Sequence, residues 1–286
     1  MHALIDADIF CYSFGSSKDD EGNPLNWPFV ASRLNAQIEY IKEAVGATKT
    51  TFFLTGSSNF RVDLASILPY KGGRPAEKPH HYQRVRDYLT NFYKAEVIEG
   101  YEADDAMSIA QMQGFDDAKH KARSKAKIDN PDAVGNYVIG YECNETIICS
   151  LDKDLMMVPG WHYNWGKDEK TYVSDLDGYR TFFAQCLTGD KSVDNIPGLF
   201  GVGKKSASVK YVGECTSRLA MYERVHKEYY DRFGSYWQQF LLENAALLWM
   251  LRTDTAPHTC QSEVYELLIG LEDERQYQQR ELREEV

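Results

Sequence analysis

Acidic residues recur in this chain in four groups whose spacing could assemble a metal centre. Asp6 and Asp8 lie two apart at the end of the apolar run ALIDADIF. Glu102, Asp104 and Asp105 open an apolar helical stretch in GYEADDAMSIA. Asp152 and Asp154 follow ETIICS, and Asp190 and Asp194 sit in TGDKSVDNIPG. Each group alone has an ordinary explanation: an acid in the first turn of a helix complements the helix dipole, and an acidic pair after a strand often caps a turn. Together they are not ordinary. Carboxylates converging in one cleft repel strongly, and the arrangement becomes reasonable when divalent cations sit among them. Oxygen donors without His or Cys suit Mg²⁺ or Mn²⁺ rather than zinc. Two such ions about 4 Å apart hydrolyse a phosphodiester by activating water and stabilising charge on the attacking and leaving oxygens.

The elements that must position these acids follow from hydrophobic periodicity. ALIDADIF reads as a buried strand, FVASRLNAQIEYIKEAV as an amphipathic helix, and TTFFLTG as a second strand. YQRVRDYLTNFYK is helical, AEVIEG is a short strand, and a helix starts near Glu102. ETIICS is a further strand, and YNW and TYVS are short strands or a hairpin. Strands alternating with helices predict an α/β domain with a mostly parallel central sheet and helices on both faces. Sites in such sheets form at the carboxyl ends of the strands, where three of the four groups fall. If still extended, the Asp6/Asp8 and Asp152/Asp154 pairs would each project to one side, and Glu102 and Asp105 would share a helix face. The expected organisation is an α/β core over 1–175, with an arch near 71–90 and a polar insertion near 115–143. A helical subdomain over 176–286 would follow, ending in a charged tail.

A centre that cuts a polyanion needs cations to hold its substrate. NFRVDLASILPYKGGR supplies Arg61, Tyr70, Lys71 and Arg74, and KPHHYQRVR adds Lys78, Arg84 and Arg86. Tyr70 beside Lys71 pairs a stacking ring with a phosphate-binding ammonium, a combination suited to an unpaired nucleotide. A solvated loop and helix face is the plainer reading. In NIPGLFGVGKKSA, Gly198, Gly201 and Gly203 precede Lys204 and Lys205. The spacing approaches a P-loop, but Ser206 comes one place late and no strand leads in. A glycine-rich turn between helices, gripping a DNA phosphate through backbone N–H groups, fits better. A tight turn with no ligand stands as the alternative.

The formal charge of −11 would by itself disfavour a nucleic-acid partner, but carboxylates that hold cations are neutralised in use. The 43% apolar and 26% charged residues are ordinary globular composition. Six scattered cysteines without a C-x-x-C pair argue against a zinc knuckle or disulfide scaffold and point to a reducing, cytoplasmic compartment. MHALIDADIF is not a signal peptide, and no run approaches the roughly 18 apolar residues of a membrane span.

Taken in order, GYEADD, SLDKDL and GDKSVDNIPGLFGVGKKSA, with FR…LPYKGGR between the first strand and GYEADD, resemble the 5′-nuclease family: the flap endonucleases and 5′→3′ exonucleases of bacteriophages and of bacterial DNA polymerase I. The resemblance runs from Asp6 to about Val212. It implies a PIN-like or resolvase-like sheet core with a helix–three-turn–helix element that binds duplex backbone. By motif match it makes Asp6, Glu102, Asp104, Asp105, Asp152, Asp154, Asp190 and Asp194 ligands of two Mg²⁺ ions, for which Mn²⁺ could substitute. Lys71 would steer and stabilise the scissile phosphate, Tyr70 would stack on the adjacent base, and Arg74 would hold the 5′ strand. Arg61, Arg84, Gly198, Gly201, Gly203, Lys204 and Lys205 would contact DNA, with K⁺ at the glycine-rich turn as in some members.

Three departures from the family pattern stand out. After FFL, where many members carry another metal-binding Asp, TGSSNFR offers Gly56. Asp190 and Asp194 are separated by three residues rather than two. The stretch near 115–143 is long. The implied activity is Mg²⁺-dependent 5′→3′ exonuclease and flap-endonuclease hydrolysis at 5′ ends, flaps or nicks in DNA, with RNA–DNA hybrids as a further substrate, during DNA replication and, if phage-encoded, in the host cytoplasm. Two alternatives stay open: a branched-DNA binding protein with little catalysis, suggested by Gly56, and a P-loop nucleotide-binding protein.

Overall fold

A computed structural model describes residues 1–73, 77–114, 145–254 and 259–284. Arg74 and the expected insertion near 115–143 lie outside the described residues. The chain divides into two compact units, one of residues 1–58 and 75–173, the other of residues 59–74 and 174–286.

The first unit is built on a six-stranded sheet of order β3-β2-β1-β4-β5-β6. Its strands are β1 (His2–Asp6), β2 (Lys49–Asn59), β3 (Glu96–Gly100), β4 (Thr146–Cys149), β5 (Gly160–Asn164) and β6 (Glu169–Val173). β1 pairs in parallel with both β2 and β4, and β4 with β5; β6 returns antiparallel to β5. This is the mostly parallel α/β sheet expected from the sequence, with YNW and TYVS as its terminal hairpin. All four residues of β4 are buried, and β1 is buried from Ala3 to Asp6, as central parallel strands covered on both faces must be. β1 is where the order turns from β2 on one side to β4 on the other. Crevices form at such switch points, beyond the carboxyl ends of the strands.

α2 (Trp27–Val45) shows how sequence fixes these elements. Asn26 caps it by accepting the Phe29 N–H at 3.2 Å, Pro28 occupies its first turn, and Gly46 ends it at φ 62°. Val30, Leu34, Ile38, Ile41 and Val45 recur at helical spacing and bury one face in the sheet's core. Each such side chain contributes about 1.5–3 kcal/mol on burial. The remaining helices of this unit are α1 (Asp8–Ser13), α4 (Tyr82–Phe92) and α5, helical over 103–114.

The second unit is helical, as expected beyond about residue 175, and it also takes in 59–74. It contains α3 (Phe60–Leu64), α6 (Asp175–Thr188), α7 (Ala207–Glu214), α8 (Arg218–Phe233), α9 (Trp237–Leu248) and α10 (Thr259–Glu284). α6 and α7 pack on each other and on α8. No helix among the described residues is long and apolar enough to cross a membrane.

Candidate metal centre

Asp6 is the last residue of β1 and 4% exposed. Its Oδ2 accepts a hydrogen bond from Ser150 Oγ at 2.8 Å, just past the end of β4. The same Ser150 oxygen accepts the Asp152 N–H at 3.0 Å, and Asp152 Oδ1 accepts the Asp154 N–H at 2.8 Å. A chain of hydrogen bonds therefore links the carboxylate ending β1 to SLDKDL. Asp154 opens a short 3₁₀ turn (Asp154–Met157) and is 7% exposed, with Lys153 Nζ 3.2 Å from its Oδ1.

Asp8 does not extend β1, contrary to the reading of an Asp6/Asp8 strand pair. Ala7 already has helical torsions (φ −85°, ψ −16°), so Asp8 opens α1. Its Oδ2 accepts the Thr55 N–H at 2.9 Å, and Arg86 Nη1 stands 3.7 Å from its Oδ1. Arg86 is itself fixed by donating from Nη2 to Thr55 O at 2.7 Å.

Glu102 precedes α5 and is 7% exposed; Asp105 is fully buried, and its Oδ2 accepts the Glu102 N–H at 3.1 Å. This is the reciprocal half of a helix N-terminal box, so Asp105 caps the helix that presents Glu102. Thr55 Oγ1 accepts the Ala103 N–H at 3.0 Å, tying that helix start to the end of β2.

Burial and neighbouring charge act together on the first of these acids. Burial pushes the Asp6 carboxyl up to about 7, and the charges of Asp8 and Asp152 push the same way against the Ser150 hydrogen bond. Asp8 is likewise raised, by burial first, with Glu102 as a further contributor. Asp6 thus feels the charges of Asp8 and Asp152, and Asp8 that of Glu102, each disfavouring the ionised form. The donor set is oxygen-only and fits a hard divalent cation. Such a cation converts the repulsion into attraction.

Asp104 is partly exposed on α5. Arg84 lies on α4 with its guanidinium 4.9 Å over the Trp27 ring.

Gly56 has a packing reason. A Cβ there would lie 2.4 Å from the Glu99 carboxyl and 2.5 Å from Ile98 O. Glu99 Oε2 accepts from the backbone N–H groups of Ser57 and Ser58, at 3.0 and 3.2 Å, and from their hydroxyls. β3 thus leaves no room for a side chain at 56.

The second unit carries the other expected site residues. Asp190 and Asp194 lie in a loop that closes on itself, with the Ile196 N–H donating to Asp190 O at 2.9 Å. Gly189 and Gly198 stand back to back at its neck with φ of 67° and 55°, and a Cβ on either would meet the other's backbone within 2.6 Å. Gly198 is therefore a packing glycine. Gly201 and Gly203 have open surroundings, and Lys204 and Lys205 are exposed beside them.

Lys71 adopts a left-handed backbone (φ 55°), unusual for a side-chain-bearing residue and worth about 1 kcal/mol of strain. Its N–H donates to Asp194 O at 2.9 Å, its Nζ stands 3.7 Å from Asp194 Oδ1, and Asn195 Nδ2 donates to Pro69 O at 2.9 Å. Tyr70 is 8% exposed, and its hydroxyl donates to Asp194 Oδ2 at 3.2 Å. Its ring is packed inside rather than presented at the surface.

Arg61 requires a correction. The sequence reading placed it among the DNA-contacting cations, but it is 1% exposed. Its Nε donates to Leu247 O at 2.9 Å and its Nη2 to Trp249 O at 2.6 Å. The guanidinium satisfies carbonyls that the end of α9 leaves without helical partners. Sequence reasoning missed Thr55, Ser150 and Arg86 as organisers of the carboxylates. The only sequence signal was their position next to the acidic groups or on α4.

No family model matches the sequence, and no match to a curated protein is found. The fold does match solved structures. The T5 D15 protein co-crystallised with metal ions aligns with a TM-score of 0.55 at 15% identity, over 94% of this chain and 98% of that one. A bacteriophage T5 flap endonuclease variant, in a pseudo-enzyme–product complex with DNA and metal ions, aligns at 0.56 with the same identity and coverage. At this identity the likeness is one of fold. It bears out, at that level, the resemblance to the 5′-nuclease family carried by the motifs.

Proposed function

We propose that this chain is a divalent-metal-dependent 5′→3′ exonuclease and flap endonuclease acting on DNA. The carrying observation is the buried Asp6 carboxylate at the end of β1, linked through Ser150, past the end of the adjacent parallel β4, to Asp152 and Asp154. It occurs in a chain that shares its fold with a flap endonuclease crystallised with DNA and metal ions.

Asp6, Glu102 and Asp152 would hold Mg²⁺ or Mn²⁺, and Asp104, Asp105, Asp154, Asp190 and Asp194 are the further candidate ligands, directly or through water. Such ions, when bound, would supply a nucleophilic water at neutral pH and would neutralise charge on the phosphate. Ser150 orients the Asp6 carboxylate, and Asp105 fixes the helix start that presents Glu102. Lys71 binds the scissile phosphate, and Tyr70 holds Asp194, Lys71's partner. Arg74 and Arg84 contact the strand that carries the 5′ end. Gly201, Gly203, Lys204 and Lys205 hold the duplex backbone at the turn before α7, with K⁺ as a candidate ion there. The substrates are 5′ ends, flaps and nicks in DNA, and RNA–DNA hybrids during primer removal.

The non-catalytic reading rests on Gly56, and the Glu99 carboxyl packed against that position gives a structural reason for a glycine there. The test is product sizing on end-labelled 5′-flap, nicked and hybrid substrates across a Mg²⁺ titration. Short products released from the 5′ side, dependent on the ion, are expected. Binding without product in either Mg²⁺ or Mn²⁺ would overturn the enzyme reading.

A further inference from the structure

Phe200 is the most exposed of the large hydrophobic side chains among the described residues, at 90%. Turn geometry puts it there. The Val202 N–H donates to Leu199 O at 3.1 Å, and Gly201 carries a positive φ of 76°. This is the pattern of a type II turn, with Phe200 at its second position and Gly201 at its third. The pattern explains the glycine; it asks for no aromatic ring at 200. The turn is firmly seated. Leu199 and Val202 on either side are buried, and the Leu199 N–H donates to Leu187 O at 2.9 Å. Arg232 Nη1 donates to the Phe200 carbonyl, and the Gly198 N–H donates to Asn244 Oδ1 at 3.3 Å. The ring is therefore held out in water on a fixed backbone, forgoing the burial that a Phe gains elsewhere.

Its surroundings select the partner. Residues 195–213 contain Lys204, Lys205 and Lys210 and no acid, in a chain of net charge −11. The Ser206 hydroxyl accepts the Gly203 N–H at 2.9 Å rather than an N–H in the first turn of α7, which has no side-chain cap. Ammonium groups and helical N–H donors suit an anion. A ring among them suits a polyanion with an apolar surface beside its charges. Nucleic acid has that combination, because sugar carbons lie between phosphate and base. We propose that the Phe200 ring packs on the C2′ side of a deoxyribose in the duplex held at this turn, and that it selects against ribose there. A 2′-hydroxyl under the ring would lose its water without gaining a partner. The proposal rests on the DNA-binding reading above and adds to it which sugar the turn accepts.

The experiment is fluorescence anisotropy of the whole chain on a 5′-flap DNA in Ca²⁺, for wild type, Phe200→Ala and Phe200→Leu. The flap junction fixes the register, and single ribonucleotides replace each duplex position in turn. Thermal denaturation confirms that each variant is folded. Phe200→Ala should weaken binding of the all-DNA flap about 10-fold. The slope of affinity against salt should not change, since a ring neutralises no phosphate. Ribose at one position should weaken wild type about 10-fold and leave Phe200→Ala unaffected, the coupling of two groups in contact. Phe200→Leu, which keeps an apolar side chain, should fall between the two. Undiminished affinity in Phe200→Ala overturns the proposal, as does a wild type indifferent to ribose at every position, or additive losses. A changed salt slope also overturns it, because the lysines of the turn would then have moved. Each of those outcomes leaves the DNA-binding reading standing. A wild type that binds no flap DNA overturns that reading and this contact with it.

Discussion

Ser150 Oγ donates to Asp6 Oδ2 at 2.8 Å, joining the residue that ends β1 to the one that follows β4. The bond spans the place where the sheet changes direction, and it fixes a buried carboxylate that feels the charges of Asp8 and Asp152. Asp6→Asn should therefore separate folding from chemistry. The amide keeps a partner for Ser150 and removes the charge, so the metal-free protein should gain about 1–3 kcal/mol. Mn²⁺ affinity and cleavage should collapse. Urea unfolding in chelator and flap cleavage in Mg²⁺ measure the two effects, and a destabilised variant would contradict the repulsion argument.

The same carboxyl gives a pH signature. Its pKa is raised to about 7 in the folded state against about 3.9 in an unfolded chain. The folded state thus binds the extra proton between those values, and stability falls as pH rises through that window. Buried His162, lowered to about 4 by desolvation, works in the opposite direction below about 6.5. The clean observable is the difference between Asp6→Asn and wild type in chelator. That difference should grow from pH 4 to pH 7 and level off above. Saturating Mg²⁺ should abolish it.

Lys71 is held in a left-handed conformation by Asp194. Lys71→Ala should reduce the single-turnover cleavage rate about 10²–10³-fold, the usual cost of losing one group that stabilises transition-state charge. Affinity for the same flap in Ca²⁺ should change by less than about threefold, since a single phosphate contact is a small part of a backbone interface. Equal losses in rate and affinity would assign Lys71 to binding alone.

Arg61 makes the reverse prediction. Arg61→Met leaves the Leu247 and Trp249 carbonyls short of their donors. It should cost about 3 kcal/mol of stability, read as a lower urea midpoint. The salt dependence of DNA binding by the folded protein should not change, because a buried guanidinium releases no counterions.

Gly56→Ala should destabilise the chain by about 1–3 kcal/mol through its clash with Glu99. Glu99→Ala should restore only part of that loss in the double variant, because the Ile98 carbonyl 2.5 Å from the same Cβ remains, a coupling that thermal melts resolve.

Much of this architecture was legible in the sequence because buried parallel strands read as apolar runs, and the acids at their ends stood out against them. Asp6 and Asp152 were found that way. The i, i+2 argument for Asp6 and Asp8 failed in its geometry, since Ala7 already turns helical, yet the Asp8 charge still acts on Asp6. Arg61 was misplaced because a basic residue in a basic loop looks solvated. Only the tertiary fold reveals that the end of α9 lacks donors. Tyr70 and Lys71 looked like one exposed stacking pair; the ring is buried, and periodicity carries no information on a turn. Thr55, Ser150 and Arg86 were silent because hydroxyls and cations that orient other groups carry no spacing signature of their own.

The neck at Gly189 and Gly198 has a consequence for engineering. With each α-carbon seated against the opposite strand of the loop, the ring of residues between them has a set circumference. Libraries that diversify positions 191–193 can retune which oxygens Asp190 and Asp194 present while the register is conserved. A single methyl at either glycine would spring the ring open and scatter both acids at once.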